Sequence, residues 1–137
     1  DGQFDLEEIE NFLARKDGAD LIIGYRVRRR DSVARLLIAK LLQIWNFLFF
    51  GLWLRDADCG FKLIKKEVVD KVGNLRTESA ITETEFLVRA KRAGFKIIEL
   101  PVHHSPRQAG CQTGADPEVV FKAIKESFTL WRELKKG

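Results

Sequence analysis

The chain has 137 residues, 45% hydrophobic, 10% aromatic and 32% charged, with a net charge of +4. One domain fits that length, and so large an apolar share excludes wholesale disorder. Its two cysteines, Cys59 and Cys111, lie too far apart for a metal-ligand spacing and are too few for a disulfide framework, which points to a reducing compartment.

Charge is unevenly spread. Residues 1–24 hold seven acids and two bases, whereas residues 25–40 hold six bases (Arg26, Arg28, Arg29, Arg30, Arg35, Lys40) against Asp31. A basic cluster next to an apolar run predicts an anionic partner: a membrane surface, a phosphorylated ligand or nucleic acid. The acidic, amphipathic first twelve residues do not read as a secretory signal. With no methionine anywhere, the chain reads as a piece of a longer protein.

Asp5 is a good N-cap, and Glu8 three positions later completes a capping-box pattern. Leu6, Ile9, Phe12 and Leu13 then mark one apolar stripe of a helix of about three turns, ending near Lys16 with Gly18 beyond it. Ala19 to Gly24 is a short β-rich run that emerges at Tyr25 and Arg26. A helix, a short loop and a buried strand make an αβ unit, and ligands of open α/β sheets bind off the carboxyl ends of strands. Arg26 sits there, placed to meet a phosphate bidentately. Arg28 to Arg30 read as a solvated or membrane-facing patch.

Residues 32–54 predict one or two helices, capped by Asp31 or Ser32. Trp45, Phe47, Phe49, Phe50 and Trp53 form a dense aromatic block. The run approaches the length of a membrane span, but Lys40, Gln43 and Asn46 interrupt it. An interfacial amphipathic segment fits better, with packing against the protein's own core as the alternative.

Arg55-Asp56-Ala57-Asp58-Cys59-Gly60-Phe61 follows at the mouth of that apolar run. Carboxylates there are costly to desolvate without a cation, a metal or water. On its own the stretch reads first as a surface turn after a helix, with the two Asp residues as solvated caps. Beyond it come a strand over 61–64, a short helix over 65–72 closed by Gly73, and a helix from Ile81 to Ala93 with Thr82 as cap and Glu85 at N3. Phe95 to Val102 is an edge strand, since Pro101 lacks a donor. A Gly-rich loop, 103–114, carries His103, His104 and Arg107; two adjacent histidines without a third ligand do not make a zinc site. Asp116 then caps a helix with Pro117 at N1.

In this order the stretches resemble the later part of family 2 glycosyltransferases, close to the polyprenyl- or dolichyl-phosphate sugar transferases. Asp1-Gly2-Gln3-Phe4-Asp5 is similar to the segment ending the D-x-D motif. Residues 19–26 resemble the strand running into an arginine, and residues 55–63 resemble the family's R-D-x-x-C-G-F-K-L stretch. Thr82 to Leu87 is similar to a conserved helix start, and Glu99 to His104 with Arg107-x-x-Gly110 resembles the E-L-P-V-x-H-x-x-R-x-x-G stretch. Gln112-Thr113 departs from many relatives at the acceptor loop.

The resemblance implies an α/β fold: a partial GT-A (Rossmann-like) arrangement, a mixed sheet with flanking amphipathic helices. Residues 1–137 would be the C-terminal, acceptor-side part of one glycosyltransferase domain, with the nucleotide-binding part absent and the isolated piece inactive. It implies transfer of a sugar from a nucleotide-sugar donor to a polyprenyl phosphate, assisted by Mg²⁺ or Mn²⁺. Asp1 would touch the metal. Asp56, Asp58 and Glu85 are the candidate catalytic carboxylates; Arg107, Arg26 and Gly110 the substrate-binding positions. A lipid-phosphate oxygen is already anionic and needs little help from a base, whereas a hydroxyl acceptor needs a carboxylate. The implied place is the cytoplasmic face of a membrane, with no nucleic acid, and with self-association through exposed apolar surface. A non-catalytic module for membrane association or partner binding is the competing reading.

Overall fold

The computed structural model describes residues 2–27, 33–105 and 116–136. Its strands are β1 (Leu21–Val27), β2 (Lys62–Ile64) and β3 (Ile97–His103). Its helices are α1 (Ile9–Leu13), α2 (Val33–Phe50), α3 (Lys66–Val72), α4 (Thr82–Arg92) and α5 (Pro117–Lys136). The sheet is mixed and runs β2-β1-β3, with β1 antiparallel to β2 and parallel to β3. This is an α/β architecture consistent with a partial Rossmann-like fold.

Strand β1 is the centre because both its faces are covered, which is why it reads as an unbroken apolar run. Leu21 and Ile23 point into a core with Leu52, Val68, Val72, Leu87 and Val88. Ile22 points the other way, onto Phe12, Ala19, Cys59 and Val102. Pro101 stands opposite Tyr25 on β3, an outer strand of the described sheet. A third cluster, Ile81, Ala123 and Leu130 with Leu42 and Phe50, ties α5 to α2 and α4.

Several local readings change. The first helix is a 3₁₀ turn, Leu6–Glu8, followed by five α-helical residues. Asp5 caps it by accepting from the Glu7 amide at 3.0 Å. Glu8 makes no reciprocal bond; its carboxylate reaches across to His103, accepting from the backbone amide at 2.9 Å and meeting Nδ1 at 2.6 Å. Thr82 is the first residue of α4, not its cap. Its hydroxyl donates to the Thr77 carbonyl.

Residues 33–50 form one helix, closed by Gly51 at φ +64°. The alternatives for its apolar surface divide between its faces. Trp45 donates to the Ser127 hydroxyl at 2.6 Å, and Trp45 and Phe49 pack on Phe128 of α5. Leu37, Leu41 and Leu48 remain 57–70% exposed. The one buried residue of α2 is polar, Asn46. By length and composition alone α2 is apolar enough to cross a membrane.

Candidate functional site

The 55–61 stretch is held in a turn against the end of β1. Cys59 donates its amide to the Asp56 carbonyl at 3.1 Å. The Arg55 amide donates to Glu99 on β3 at 2.7 Å, and its guanidinium lies over the Tyr25 ring at 4.6 Å. The close approach depends on Gly24. A β-carbon there would come within 3.0 Å of the Phe61 carbonyl oxygen and 3.1 Å of Cys59 Sγ. Burial pushes the Cys59 thiol above its ordinary pKa, so it packs as an inert apolar group.

Arg26 and Asp56 meet at the middle of this turn. Nε and Nη2 of Arg26 donate to the two carboxylate oxygens of Asp56 at 2.6 and 2.7 Å, and the Arg26 amide reaches Oδ2 at 3.3 Å. Their side chains are 9% and 6% exposed. An ion pair this buried needs such a fork, because the desolvation of both charges must be offset by hydrogen bonds.

Asp58 is different. It keeps an exposed edge and lines a groove of about 390 Å³ between α2 and α5. Crowding by the surrounding walls raises its carboxyl above the usual range, and the Asp56 charge pushes the same way against Lys62 and Arg26. The open edge limits that rise. The groove is mainly apolar, with Leu41, Leu42, Val119 and Ile124 along it. Arg26, Arg35, Asp58 and Glu83 are its charged wall residues, whereas Asp56 does not line it. Glu83 is bound by Lys62 at 2.7 Å.

Glu85 is fully buried on α4. It accepts from the Arg76 and Thr77 amides at 3.0 and 2.8 Å, from the Thr77 hydroxyl at 2.7 Å and from Arg89 at 2.6 Å. Burial favours its neutral form, but the Thr77 and Arg76 bonds and the Arg89 charge outweigh that and hold the carboxyl below its ordinary pKa. Glu126 of α5 does the same for the next residues, accepting from the Glu78 and Ser79 amides and the Ser79 hydroxyl. Two carboxylates thus grip consecutive parts of one loop whose end, Ala80 and Ile81, forms groove wall.

The structure therefore brings Arg26, Asp56 and Asp58 together and places Glu85 beneath a neighbouring loop. Arg107, Gly110 and Asp1 lie outside the described residues. So do Arg28 to Arg30 and both proposed caps, Asp31 and Ser32. Among the described residues no three His, Cys, Asp or Glu side chains gather to hold an ion. Asp56 has both oxygens on Arg26, so these residues alone do not fit a metal ion. Glu126 escaped the sequence reading because a glutamate on the polar side of a helix carries no signal. Asn46 was visible only as a polar interruption.

Neither a family model nor a solved structure matches the chain. Curated relatives do. Polyprenol monophosphomannose synthase of Mycolicibacterium smegmatis is 27% identical over 118 residues, 80% of this chain and 44% of that protein. An uncharacterized protein of Methanocaldococcus jannaschii is 24% identical over 132 residues, 90% of this chain and 54% of that one. Glycosyltransferase AglD of Haloferax volcanii is 39% identical over 61 residues, 44% of this chain and 10% of its own. The chain spans about half the length of the first two. Similarity to proteins of these names supports a glycosyltransferase family for this chain.

Proposed function

We propose that this chain supplies the acceptor side of a transferase that moves a sugar from a nucleotide-sugar donor to a polyprenyl phosphate. The observation that carries it is the groove: a mainly apolar trough with two arginines, Arg26 and Arg35, and two carboxylates, Asp58 and Glu83, set into its wall. Its chemistry suits an amphiphile with a long apolar tail and an anionic head. The name of the mycobacterial relative contains that acceptor class, and supports the choice.

In this reading Arg26 meets the acceptor phosphate from the groove wall. Asp56 behind it fixes the guanidinium in one orientation, which a lysine could not copy. Because the attacking phosphate oxygen is already ionised, no base has to remove its proton. Asp58, at the groove edge, is the carboxylate placed to face positive charge developing on the sugar carbon. Glu85 acts at a distance, by holding the loop before α4. Arg107 and Gly110 belong to the same proposal as further phosphate contacts, and Asp1 as the ligand of a Mg²⁺ or Mn²⁺ ion. Loss of transfer on chelation, restored by either ion, tests that last part.

Exposed leucines of α2 beside the basic cluster favour docking at a membrane surface, and the cytoplasmic face is the side we propose. A purely docking module would use the same surface, so transfer itself must separate the two. The deciding experiment gives the full-length protein a nucleotide sugar and polyprenyl phosphate in vesicles, with Asp56→Asn alongside. Transfer in the wild type and its loss in the variant support the reading. Wild-type transfer that Asp56→Asn leaves unchanged removes the Arg26–Asp56 pair from it.

A further inference from the structure

Helix α2 buries a single residue, and that residue is an asparagine, 3% exposed. The Asn46 Nδ2 atom donates to the Thr84 hydroxyl of α4 at 3.1 Å. Its Oδ1 is buried without a hydrogen-bond partner. An unmatched buried amide oxygen is destabilising, so such an atom calls for an explanation. Asn46 lines a small cavity of about 20 Å³, which Thr84 does not. Asn46, with its Oδ1 unmatched, thus borders a cavity that the Asp56–Asp58 turn also lines. Asp56 and Asp58 share that lining with Gln43, Arg55 and apolar residues that include Leu52 and Leu54.

The occupant is defined by this chemistry. It must donate to an amide oxygen on one side and to a carboxylate on the other. A volume of about 10–15 Å³ admits one water, and the space here is of that order. Exchanging the amide's oxygen and nitrogen leaves the requirement intact, since the atom that Thr84 does not bind then needs an acceptor and water supplies that too.

We propose that this cavity holds one ordered water bridging Asn46 to the Asp56–Asp58 turn, and that Asn46 is thereby a positioning residue for the site. Trp45 of α2 also donates to Ser127, and Gln43 to the Leu54 carbonyl; the aromatic and aliphatic contacts around them tolerate rotation and sliding. A buried asparagine with fixed partners sets one register, as it does in helical interfaces. The exposed face of α2 is thus tied in place relative to the carboxylates. The positioning role rests on the transferase reading; the water does not.

The test has two readouts on the full-length protein. A high-resolution crystal structure should show a density peak within about 3 Å of the Asn46 amide and of a carboxylate oxygen of Asp56 or Asp58. Asn46→Leu, which fills the cavity with methyl groups, should lower kcat for sugar transfer about tenfold with KM for the nucleotide sugar unchanged. Asn46→Ser leaves room for a second water and should stay within about threefold of wild type. A dry cavity overturns the water. Wild-type kcat in the Leu variant, or equal damage in the Ser variant, overturns the positioning role. If wild-type protein transfers no sugar at all, the transferase reading and the positioning role fall together, and the density peak still decides the water.

Discussion

Arg26 and Asp56 are joined by two side-chain hydrogen bonds of 2.6 and 2.7 Å, across thirty residues of sequence and with almost no exposure to water. Arg26 lines the groove and Asp56 stands off it. That order, cation at the wall and carboxylate behind, assigns the two residues different work. It also makes their mutation costs unequal.

Removing Asp56 takes the two-pronged carboxylate partner from a buried guanidinium. Asp56→Ala is expected to lower stability by about 3–5 kcal/mol, the usual penalty for breaking a buried pair from one side. Arg26→Lys keeps the charge but loses the fork, so it should cost less than Asp56→Ala in stability while still impairing transfer. Urea denaturation of the two variants, run beside the transfer assay, checks both halves. Equal stability losses would contradict the geometry.

Glu85 gives the acid response a sign. Its pKa in the folded protein lies below the ordinary value of 4.5. The native state therefore holds fewer protons than the unfolded chain in that region, and stability rises with pH there. The contribution is complete above about pH 4.5 and disappears as pH falls through the lower, folded-state pKa. Glu126 is shifted the same way by the Ser79 and Glu78 bonds. Glu85→Gln should cost about 2–3 kcal/mol at neutral pH, because Arg89 loses its partner and two amides face a weaker acceptor. Thermal melts from pH 7 to pH 3 should show a shallower acid slope in this variant than in wild type.

The apolar leucines of α2 should separate membrane binding from folding. Leu37 and Leu48 are 60% and 70% exposed, so changing both to serine should shift stability by no more than about 0.5 kcal/mol. Each leucine buried in a headgroup layer is worth about 1.5–3 kcal/mol. Flotation of the full-length double variant with anionic vesicles should therefore fall by at least tenfold. Unchanged flotation would leave α2 without a role at the membrane.

Sequence carried the elements well where one physical signal dominated. The β1 run, Gly73 and Pro117 behaved as their chemistry predicts, whereas the helical region read over 32–54 stops at Phe50, before Gly51. Side-chain partnerships were much less legible. Glu8 and Glu85 both read in the sequence as capping-box residues, and both turn to partners outside their own helix ends: His103 on β3 and the loop at 76–77. A local motif counts only nearby donors, whereas a carboxylate takes whichever amides the fold delivers. Arg26 and Asp56 were each singled out, yet nothing in their spacing of thirty residues announces that they meet. Asn46 carried even less warning, since its meaning depends on a cavity that exists only after packing.

The two glycines beside the Asp56 turn provide an internal contrast. Gly60 lies inside the motif and attracts attention in the sequence. A β-carbon there meets nothing within 4 Å, and its backbone is not left-handed. Gly24 lies outside the motif, on β1. A β-carbon there would press on the Phe61 carbonyl oxygen and Val102 Cγ2 at 3.0 Å and on Cys59 Sγ at 3.1 Å. Backbone cannot step aside as a flexible side chain does, and the Gly24 amide already donates to that carbonyl at 2.8 Å. Gly24→Ala should thus cost about 1–3 kcal/mol, as overpacking does. Gly60→Ala should stay within about 0.5 kcal/mol of wild type. The displaced turn carries Asp56, so Gly24→Ala should also lower transfer, and Gly60→Ala should not. Denaturation midpoints and transfer rates of the two alanine variants decide this. A reversed order would mean that close packing against β1 is not what holds the carboxylates in place.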